Sequence, residues 1–477
     1  MTDKTMFDRP LLLQNASYYS AGEMHYGHLL LADGKVAAIY DELPPDMTVD
    51  ADFQRYDATG RLVLPGCIDT HVHVREPGSP EKEDFLTGTA AALSAGVTTI
   101  CQMPNVNPIP HDVASLEVTR QAAANKALCN VAVYAAAGAD NTREFAALAR
   151  AGICGLKTFL QPGKSGEPQY ITVAQDDGDA ELCALLAAGK SAGLRCFFHC
   201  EDYALIGKLE QQAHESGQEN YSFHYKTRPN EAELNAVSRV LAAAAKTGAK
   251  VGIVHVSTVA AAEAISAAKR AGADVTCEVC FHHLFFDDSW LDKFGPYAKC
   301  NPPLRSKADV EGLWRFVNDG TVDYLGSDHA PHLLRQKQAG EKHIWLAPSG
   351  VAHMEIMLPL LLSAVKSGKL KMERLAELIS ENGYKAMGLY PQKGCITTGA
   401  DADLTVIDTD VTWRFDHRQM QTKAREACRL FDGMEMTGRV EAAIVKGRLV
   451  YADGIVDYQS AGWGDVLTCH KNQWEGI

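Results

Sequence analysis

Short apolar runs alternate with alanine-rich stretches between residue 61 and about residue 330 of the chain. The runs are rich in β-branched and aromatic residues, whereas the stretches between them have helical spacing and end at or near a glycine. This alternation is typical of parallel βα units. Eight strand candidates follow one another: LVLPGCIDTHVHV, GVTTICQM, VAVYAAAG, GLKTFL, RCFFHC, KVGIVHVS, DVTCEVC and VDYLGSDHA. Eight units predict an α/β fold whose main part is a (β/α)8 TIM barrel.

Both ends of the chain have a different pattern. HLLLADGKVAAIYDE near the start, and GADADLTVIDTD and AAIVKGRLVYADG near the end, are apolar or alternating runs between Gly, Asp and Asn turns. Such runs predict strands and hairpins. We therefore expect a small β-sandwich domain built from both chain ends, with residues 1–60 and 395–477 in it and residues 61–394 in the barrel.

Composition narrows the possible functions. The chain has 477 residues, of which 46% are hydrophobic and 22% charged, as in a soluble globular protein. Its formal net charge of −14 argues against nucleic acid as a partner, because a phosphate backbone is bound by clustered Lys and Arg. No apolar run reaches about 18 residues, which argues against a membrane span. The thirteen cysteines lack the spacing of a disulfide framework, so we expect a reduced, cytoplasmic protein.

The segment IDTHVHVREPG suggests the chemistry. Alternate side chains of a strand share a face, so His71 and His73 both point towards the barrel mouth, and Arg75 shares that face. Two imidazoles on one face can chelate a divalent ion such as Zn²⁺, and Asp69 could orient one of the rings. An isolated HxH pair is a weak signal, so the other strand ends decide its meaning.

Four more strand candidates carry ligand-type residues towards the same end of the barrel: Lys157, His199, His255 and Asp328. TIM-barrel active sites gather at the C-terminal ends of the strands, so this convergence predicts a metal centre. An ammonium cannot ligate a cation, which makes Lys157 the exception. Carboxylation of Lys157 by CO₂ would convert it into a carbamate that can bridge two ions; the rival bridge is Asp176 or Asp177 of AQDDG.

The chain resembles the cyclic-amidohydrolase branch of the amidohydrolase superfamily, and within it most closely the dihydroorotases. The segments that carry the resemblance occur in family order: PGCIDTHVHVREPG, EKEDFLTGTAAALSAGVTTICQMPN, HCED, HVST, KCNPPLR, GSDHAPH and GADADLTVID. The resemblance implies two divalent ions, usually zinc, held by His71, His73, carboxylated Lys157, His199, His255 and Asp328. Asp328, a ligand beside the nucleophile, is placed to act as general acid and base.

The same resemblance implies a substrate. Its carboxylate would be bound by Arg75, Asn105 and His332, while Asn301 would contact the ring. The implied reaction is the reversible cyclisation of N-carbamoyl-L-aspartate to L-dihydroorotate in pyrimidine biosynthesis. We expect the partner of the enzyme to be this small acidic substrate, and the enzyme itself to be a homo-dimer or homo-tetramer.

Two alternatives stay open. The segment APSGVAHMEIMLPLL departs from the dihydroorotase pattern, so the loop residues near Ser349 to His353 that contact substrate are not identified. GPYAKCNPPLRS and YPQKG resemble hydantoinase segments, which makes a hydantoinase, dihydropyrimidinase or allantoinase the second interpretation. A non-catalytic assembly protein of the same family would lack metal ligands, whereas the set of ligands here is complete.

Overall fold

A computed structural model describes residues 9–48, 53–161, 169–173 and 179–469 of the chain. The strands are β1 (Leu11–Ser20), β2 (Glu23–Ala32), β3 (Lys35–Tyr40), β4 (Gln54–Asp57), β5 (Leu62–Pro65), β6 (Cys67–Val72), β7 (Val97–Gln102), β8 (Asn130–Val133), β9 (Ala135–Ala136), β10 (Leu156–Phe159), β11 (Cys196–His199), β12 (Val251–Ile253), β13 (Val275–Cys280), β14 (Tyr324–Gly326), β15 (Leu404–Arg414), β16 (Glu435–Val445), β17 (Arg448–Ala452) and β18 (Ile455–Val456).

The α-helices fall mainly between the strands of the middle part of the chain. They are α1 (Phe85–Ser94), α2 (Val113–Ala124), α3 (Phe145–Ala151), α4 (Ala180–Ala192), α5 (Tyr203–Glu215), α6 (Phe223–Lys226), α7 (Asn230–Thr247), α8 (Val259–Arg270), α9 (His282–Phe285), α10 (Ser289–Phe294), α11 (Lys307–Asn318), α12 (Leu334–Gln338), α13 (Met357–Lys366), α14 (Met372–Ala376) and α15 (Asn382–Ala386).

The strands β6 to β14 form the predicted barrel. β6, β7 and β8 pair in parallel, and β9 to β14 form a second parallel sheet in chain order. β8 and β9 are two parts of one strand, interrupted at Tyr134, whose backbone N–H donates to Gln102 at 3.0 Å. The backbone N–H of His73 donates to the carbonyl of His329 at 2.8 Å and closes the ring between the first and last strands. The prediction of a TIM barrel is therefore confirmed.

The two chain ends form one mixed sheet of nine strands, in the order β18-β17-β16-β15-β5-β1-β2-β3, with β4 paired to β1. A β domain built from both ends is therefore confirmed, whereas the domain boundaries stay a prediction. Alternation along β5 links this sheet to the barrel: Leu62 and Leu64 pack in the barrel core, and Val63 packs in the core of the sheet.

One predicted strand is divided between the two parts. The run LVLPGCIDTHVHV supplies β5 to the nine-stranded sheet and β6 to the barrel, with Gly66 between them. A Cβ at Gly66 would lie 2.0 Å from Thr98 Oγ1, so only glycine allows the chain to pass this close to β7. The crossing sets where β6 starts and therefore how far His71 and His73 reach into the barrel mouth.

Candidate metal centre and substrate cavity

The residues predicted for the site meet at the C-terminal ends of the barrel strands. His71 lies in β6, Lys157 in β10 and His199 at the end of β11, while His255 and Asp328 each follow their strand by two residues. One cavity of about 230 Å³ is lined by all ten predicted residues: His71, His73, Arg75, Asn105, Lys157, His199, His255, Asn301, Asp328 and His332. The structure thus brings the predicted set together.

His71 and His73 are each held by the nitrogen that faces away from the centre. His71 Nδ1 lies 2.8 Å from Glu278 Oε1, and His73 Nδ1 lies 2.8 Å from Asn105 Oδ1. Both partners accept a hydrogen bond from Nδ1, an arrangement that would leave each Nε2 free to ligate a metal ion. These Nε2 atoms face Asp328 Oδ1, at 3.5 Å from His71 and 3.0 Å from His73.

His199 and His255 complete the histidine set from the opposite side. His199 Nε2 lies 2.8 Å from Glu201 Oε2, which leaves Nδ1 directed at His255 Nε2, 3.0 Å away. Glu201 is held in turn by Arg228 Nη1 at 2.6 Å. His255 has a φ of +41° and Asp328 a φ of +49°. Non-glycine residues rarely adopt this left-handed conformation, and such strain is typical of functional sites.

Lys157 lies among the ligand-type side chains. Its side chain is buried, and Nζ has no hydrogen-bond partner among the described residues. Nζ lies 4.5 Å from the centre of the Phe159 ring. Burial lowers the pKa of Lys157 to about 8, although Asp328 and Glu278 oppose this shift. A fraction of the amine is therefore neutral near physiological pH.

The carboxylates behave differently from one another. Burial raises the pKa of Asp328, but His71 and His73 outweigh it and hold that pKa well below its usual range.

Asp69 was expected to orient a histidine ring, and this expectation is wrong: its Oδ1 accepts from the backbone N–H of His71 at 3.1 Å and of Ser327 at 3.0 Å. Asp69 thus joins β6 to the segment that follows β14. The alternative bridges Asp176 and Asp177 lie outside the described residues.

The donor set fits divalent cations. Three ligand-type atoms, one each from His71, His73 and Asp328, lie within 4.8 Å of one another. His199 Nδ1 faces His255 Nε2, and a ring nitrogen whose partner nitrogen donates to a carboxylate has a lone pair to offer. Imidazole nitrogens and a carboxylate are common ligands of zinc and related ions.

The substrate side of the cavity is built around Arg75. Its Nε donates to the carbonyl of Pro331 at 3.2 Å, and its Nη2 lies 3.4 Å from His332 Nε2. Among the described residues, no carboxylate forms an ion pair with Arg75 within 4.0 Å. Burial lowers the pKa of Arg75 to about 10, so the guanidinium is charged at neutral pH. A charged, half-buried guanidinium without a counterion is a ready binding site for an anion.

The other predicted contacts lie around this guanidinium. Asn301 Oδ1 is buried without a hydrogen-bond partner in the described part of the chain, whereas Asn105 Oδ1 is taken by His73. Burial and Arg75 lower the pKa of His332 to about 2, so this ring is neutral. Its Nε2 lies 3.0 Å from the carbonyl of Ser349, and Ser349 also lines the cavity.

Two glutamates beside the centre were missed by the sequence analysis. Glu278 lies in β13 and is fully buried; it contacts His71 Nδ1, accepts from Thr70 Oγ1 at 2.7 Å and accepts from the backbone N–H of His255 at 3.1 Å. Glu201 holds His199. The available signal was the charged residue in the middle of the apolar run VTCEVC, since a buried charge needs partners.

Similarity to known proteins agrees with this geometry. The sequence profile described as the Amidohydrolase family matches residues 62–450. An L-hydantoinase of Paenarthrobacter aurescens is 30% identical over 97% of this chain and 98% of its own. A dihydroorotase of Elusimicrobium minutum is 33% identical over 91% and 95%, and an allantoinase of Rubrobacter xylanophilus is 35% identical over 91% and 92%.

Solved structures agree on the fold. The L-hydantoinase (dihydropyrimidinase) from Arthrobacter aurescens superposes with a TM-score of 0.90 at 30% identity, covering 97% of this chain and 100% of that one. The dihydropyrimidinase from Brevibacillus agri superposes with a TM-score of 0.88 at 27% identity, covering 97% and 99%. No helix within the described residues is long and apolar enough to cross a membrane.

Proposed function

The chain belongs to the amidohydrolase family, in its cyclic-amidohydrolase branch, and we propose that it is a dihydroorotase, which interconverts N-carbamoyl-L-aspartate and L-dihydroorotate. It is a metal-dependent hydrolase of cyclic amides. One observation carries the choice of substrate: Arg75 lines the cavity beside the histidines and forms no ion pair with a carboxylate among the described residues.

A guanidinium in this position favours an acidic substrate. Dihydroorotate has a ring carboxylate, whereas hydantoin and dihydrouracil have none. A guanidinium fork matches a carboxylate by two parallel hydrogen bonds, and removal from bulk water strengthens the pair. The neutral His332 and the unpartnered Oδ1 of Asn301 lie in the same cavity and supply further polar contacts for the rest of the substrate.

The residues proposed to hold the metal ions are His71, His73, Lys157, His199, His255 and Asp328. When bound, two divalent ions, of which zinc is the expected kind, make a water-derived nucleophile available near neutral pH and polarise the amide carbonyl. The chain itself contributes the orientation of the rings, through Glu278, Glu201 and Asn105. These partners raise the basicity of the nitrogens that face the centre.

Lys157 is proposed to act as a carbamate. In this step the Nζ lone pair attacks CO₂, a new N–C bond forms, and the nitrogen loses a proton to solvent. The product has an anionic carboxylate at the end of the side chain. The lowered pKa of Lys157 supports the step because it increases the fraction of neutral amine that can react.

Asp328 is proposed to move the proton. Its carboxylate lies beside His71 and His73 and is ionised, so it can accept a proton from the attacking water. In the hydrolytic direction, it then gives this proton to the nitrogen that leaves the opened ring. The ring-closing direction uses the same atoms in reverse order.

Hydantoinase is the second candidate, because the L-hydantoinase from Arthrobacter aurescens shares the fold over nearly the full chain. An allantoinase is a relative at a comparable level of identity. Hydantoin is an uncharged ring, so an enzyme selected for it has no need of a guanidinium without a counterion. Substrate charge therefore separates the two candidates.

The test compares turnover of dihydroorotate, hydantoin, dihydrouracil and allantoin by the wild-type enzyme and by Arg75→Met and Arg75→Lys. For dihydroorotate we expect kcat/KM to fall about 10³-fold in Arg75→Met, the scale of an unpaired buried charge, with metal content unchanged. Arg75→Lys keeps the positive charge but loses the two parallel hydrogen bonds of the guanidinium. Its kcat/KM for dihydroorotate should therefore lie between the values of the wild-type enzyme and of Arg75→Met. A wild-type enzyme that prefers the uncharged rings, with Arg75→Met nearly silent, would promote the hydantoinase alternative.

A further inference from the structure

A second group of metal-ligand side chains lies at the end of β13, outside the set proposed for catalysis. His282 and His283 begin α9, and Cys300 directly precedes Asn301. All three ligand-type side chains are buried, with at most 4% of their surface exposed. One ring nitrogen of each histidine and the Cys300 Sγ lie within 4.8 Å of one another.

Each of the two histidines has one buried ring nitrogen without a hydrogen-bond partner among the described residues. His283 Nε2 lies 3.3 Å from the carbonyl of Pro302, so Nε2 is the protonated nitrogen, and the buried Nδ1 keeps its lone pair without a hydrogen bond. His282 Nδ1 lies 3.1 Å from His353 Nε2, and the buried His282 Nε2 has no partner among the described residues. Buried polar atoms in folded proteins are nearly always paired, so unpaired nitrogens in this cluster indicate a place where a ligand can bind.

The tautomers suit a cation. Binding of an ion through His282 Nε2 would require Nδ1 to be the protonated nitrogen, with the hydrogen bond donated to His353 Nε2. One nitrogen of each imidazole and the Cys300 sulfur lie close enough together for a single ion to bind all three. A small void of about 20 Å³ borders the cluster, lined by His282, Cys300 and His353 and by apolar side chains that include Phe286 and Trp290. An apolar shell of this kind excludes solvent from a bound ion.

We propose that His282, His283 and Cys300 form a further metal site, of two nitrogens and one sulfur, that holds a zinc-type ion in a positioning role, with a water molecule in the adjoining void of about 20 Å³ as the fourth ligand. Imidazole nitrogen and thiolate sulfur are the ligands of structural zinc sites, at about 2.0 Å and about 2.3 Å from the ion. At these bond lengths, tetrahedral ligand atoms lie roughly 3.3–3.7 Å apart, so the cluster closes slightly on binding.

Binding requires a proton balance. Burial raises the pKa of the Cys300 thiol to about 12, so the thiol is protonated until an ion binds. The S–H bond then breaks, a sulfur–metal bond forms, and one proton leaves to solvent. The hydrogen bond from Cys300 Sγ to the carbonyl of Pro302, at 3.2 Å, is released in the same step.

The proposed ion would affect the substrate cavity through the backbone segment that leads to Asn301. The ion would join the start of α9 to the segment that carries Asn301, which lines the cavity. We therefore assign it a positioning role, and the inference stands whether the substrate is dihydroorotate or another cyclic amide.

Cobalt spectroscopy tests the site, because none of the six residues proposed for the catalytic centre is a cysteine. The full-length enzyme is loaded with Co²⁺ or Zn²⁺, and bound ions per chain are counted. We expect three ions per chain and a near-ultraviolet charge-transfer band from thiolate to cobalt. Cys300→Ser should hold two ions and lose the band. Cys280→Ser, at a buried cysteine in β13 outside the cluster, should keep three ions and the band.

His283→Gln provides a second variant that removes no cysteine, and it should lose the third ion and the band as well. The proposal is overturned if the wild-type enzyme, with its catalytic pair filled, binds two ions and shows no thiolate band. A band of wild-type intensity in Cys300→Ser would overturn it too, since another cysteine would then be the ligand. If Cys300→Ser does not fold, the wild-type measurement and His283→Gln decide.

Discussion

The two sides of the catalytic cavity differ in how firmly the chain holds them. On the metal side, the ligand-type residues lie on or next to barrel strands, and His71, His199 and His255 have at most 3% of their surface exposed. A buried glutamate holds the outer nitrogen of His71 and another holds that of His199. This side is therefore arranged before any substrate arrives.

The substrate side is built from loops. Arg75, Asn105 and His332 follow their strands by a few residues, Asn301 comes after α9 and α10, and Asn105 is exposed. Arg75 lacks a counterion and Asn301 Oδ1 lacks a partner in the described part of the chain. Ser349 and Gly350 complete this wall from a long connection after β14. Such a wall leaves its polar groups for the substrate to satisfy.

The difference explains how one chemistry serves several substrates. Strand ends are fixed by barrel packing, so the metal side tolerates little change, whereas loops can change length and sequence without disturbing the barrel. Relatives at 30% to 35% identity accordingly have three names: hydantoinase, dihydroorotase and allantoinase. The following predictions test each side separately, starting with the largest effect.

Lys157→Ala should have the largest effect. The variant removes the proposed bridge between two ions, so we expect loss of at least one ion and turnover of every cyclic amide below detection. Added short carboxylates should restore part of the activity by replacing the carbamate. Metal content equal to the wild type would instead move the bridge to Asp176 or Asp177.

Asp328→Asn should reduce turnover by about 10²- to 10⁴-fold, the range for loss of a general acid or base. The amide keeps the size of the side chain and an oxygen for ligation but cannot move a proton. Rates at matched zinc occupancy check the prediction, and the loss should be equal for charged and uncharged substrates. A rate that holds while zinc stays bound would leave Asp328 as a ligand only.

Glu278→Gln should weaken metal binding by about 10- to 100-fold, because an amide holds the His71 ring less firmly than a carboxylate does. Competition with a chelator measures the affinity. Glu233→Gln is the matched control, since Glu233 is equally buried but contacts Ser257 instead of a histidine of the centre. Equal losses in both variants would mean that burial of a glutamate, and not contact with His71, is responsible.

Lys337→Met should have the smallest effect, on the substrate side alone. Lys337 Nζ donates to the carbonyl of Pro348 at 3.0 Å, and Ser349 and Gly350 follow directly. We expect KM to rise about tenfold with kcat and metal content nearly unchanged, the pattern of a lost interaction that binds the ground state and the transition state equally. Lys393→Met, at a buried lysine paired with Asp403 next to β15, should leave KM unchanged. A fall in kcat with KM constant would connect this loop to the metal side.

Much of this protein is determined by local sequence pattern. Eight apolar runs with helical stretches between them suffice for the barrel, because each strand buries both faces and each helix buries one. The spacing of His71 and His73 places both on one face whatever the rest of the chain does. The ligand-type residues could be predicted because they lie in or directly after strands, and the C-terminal ends of the strands meet at one side of a barrel.

Only the tertiary structure decided the contacts between distant segments. Glu278 reaches His71 across 207 positions of sequence, and no local pattern encodes that pairing. The same holds for the division of one apolar run between sheet and barrel at Gly66, and for the left-handed backbone at His255 and Asp328. The meeting of His282, His283 and Cys300 also depends on how the loops after β13 pack. Periodicity reports which face a residue takes, whereas the partner on that face is selected by packing of the whole barrel.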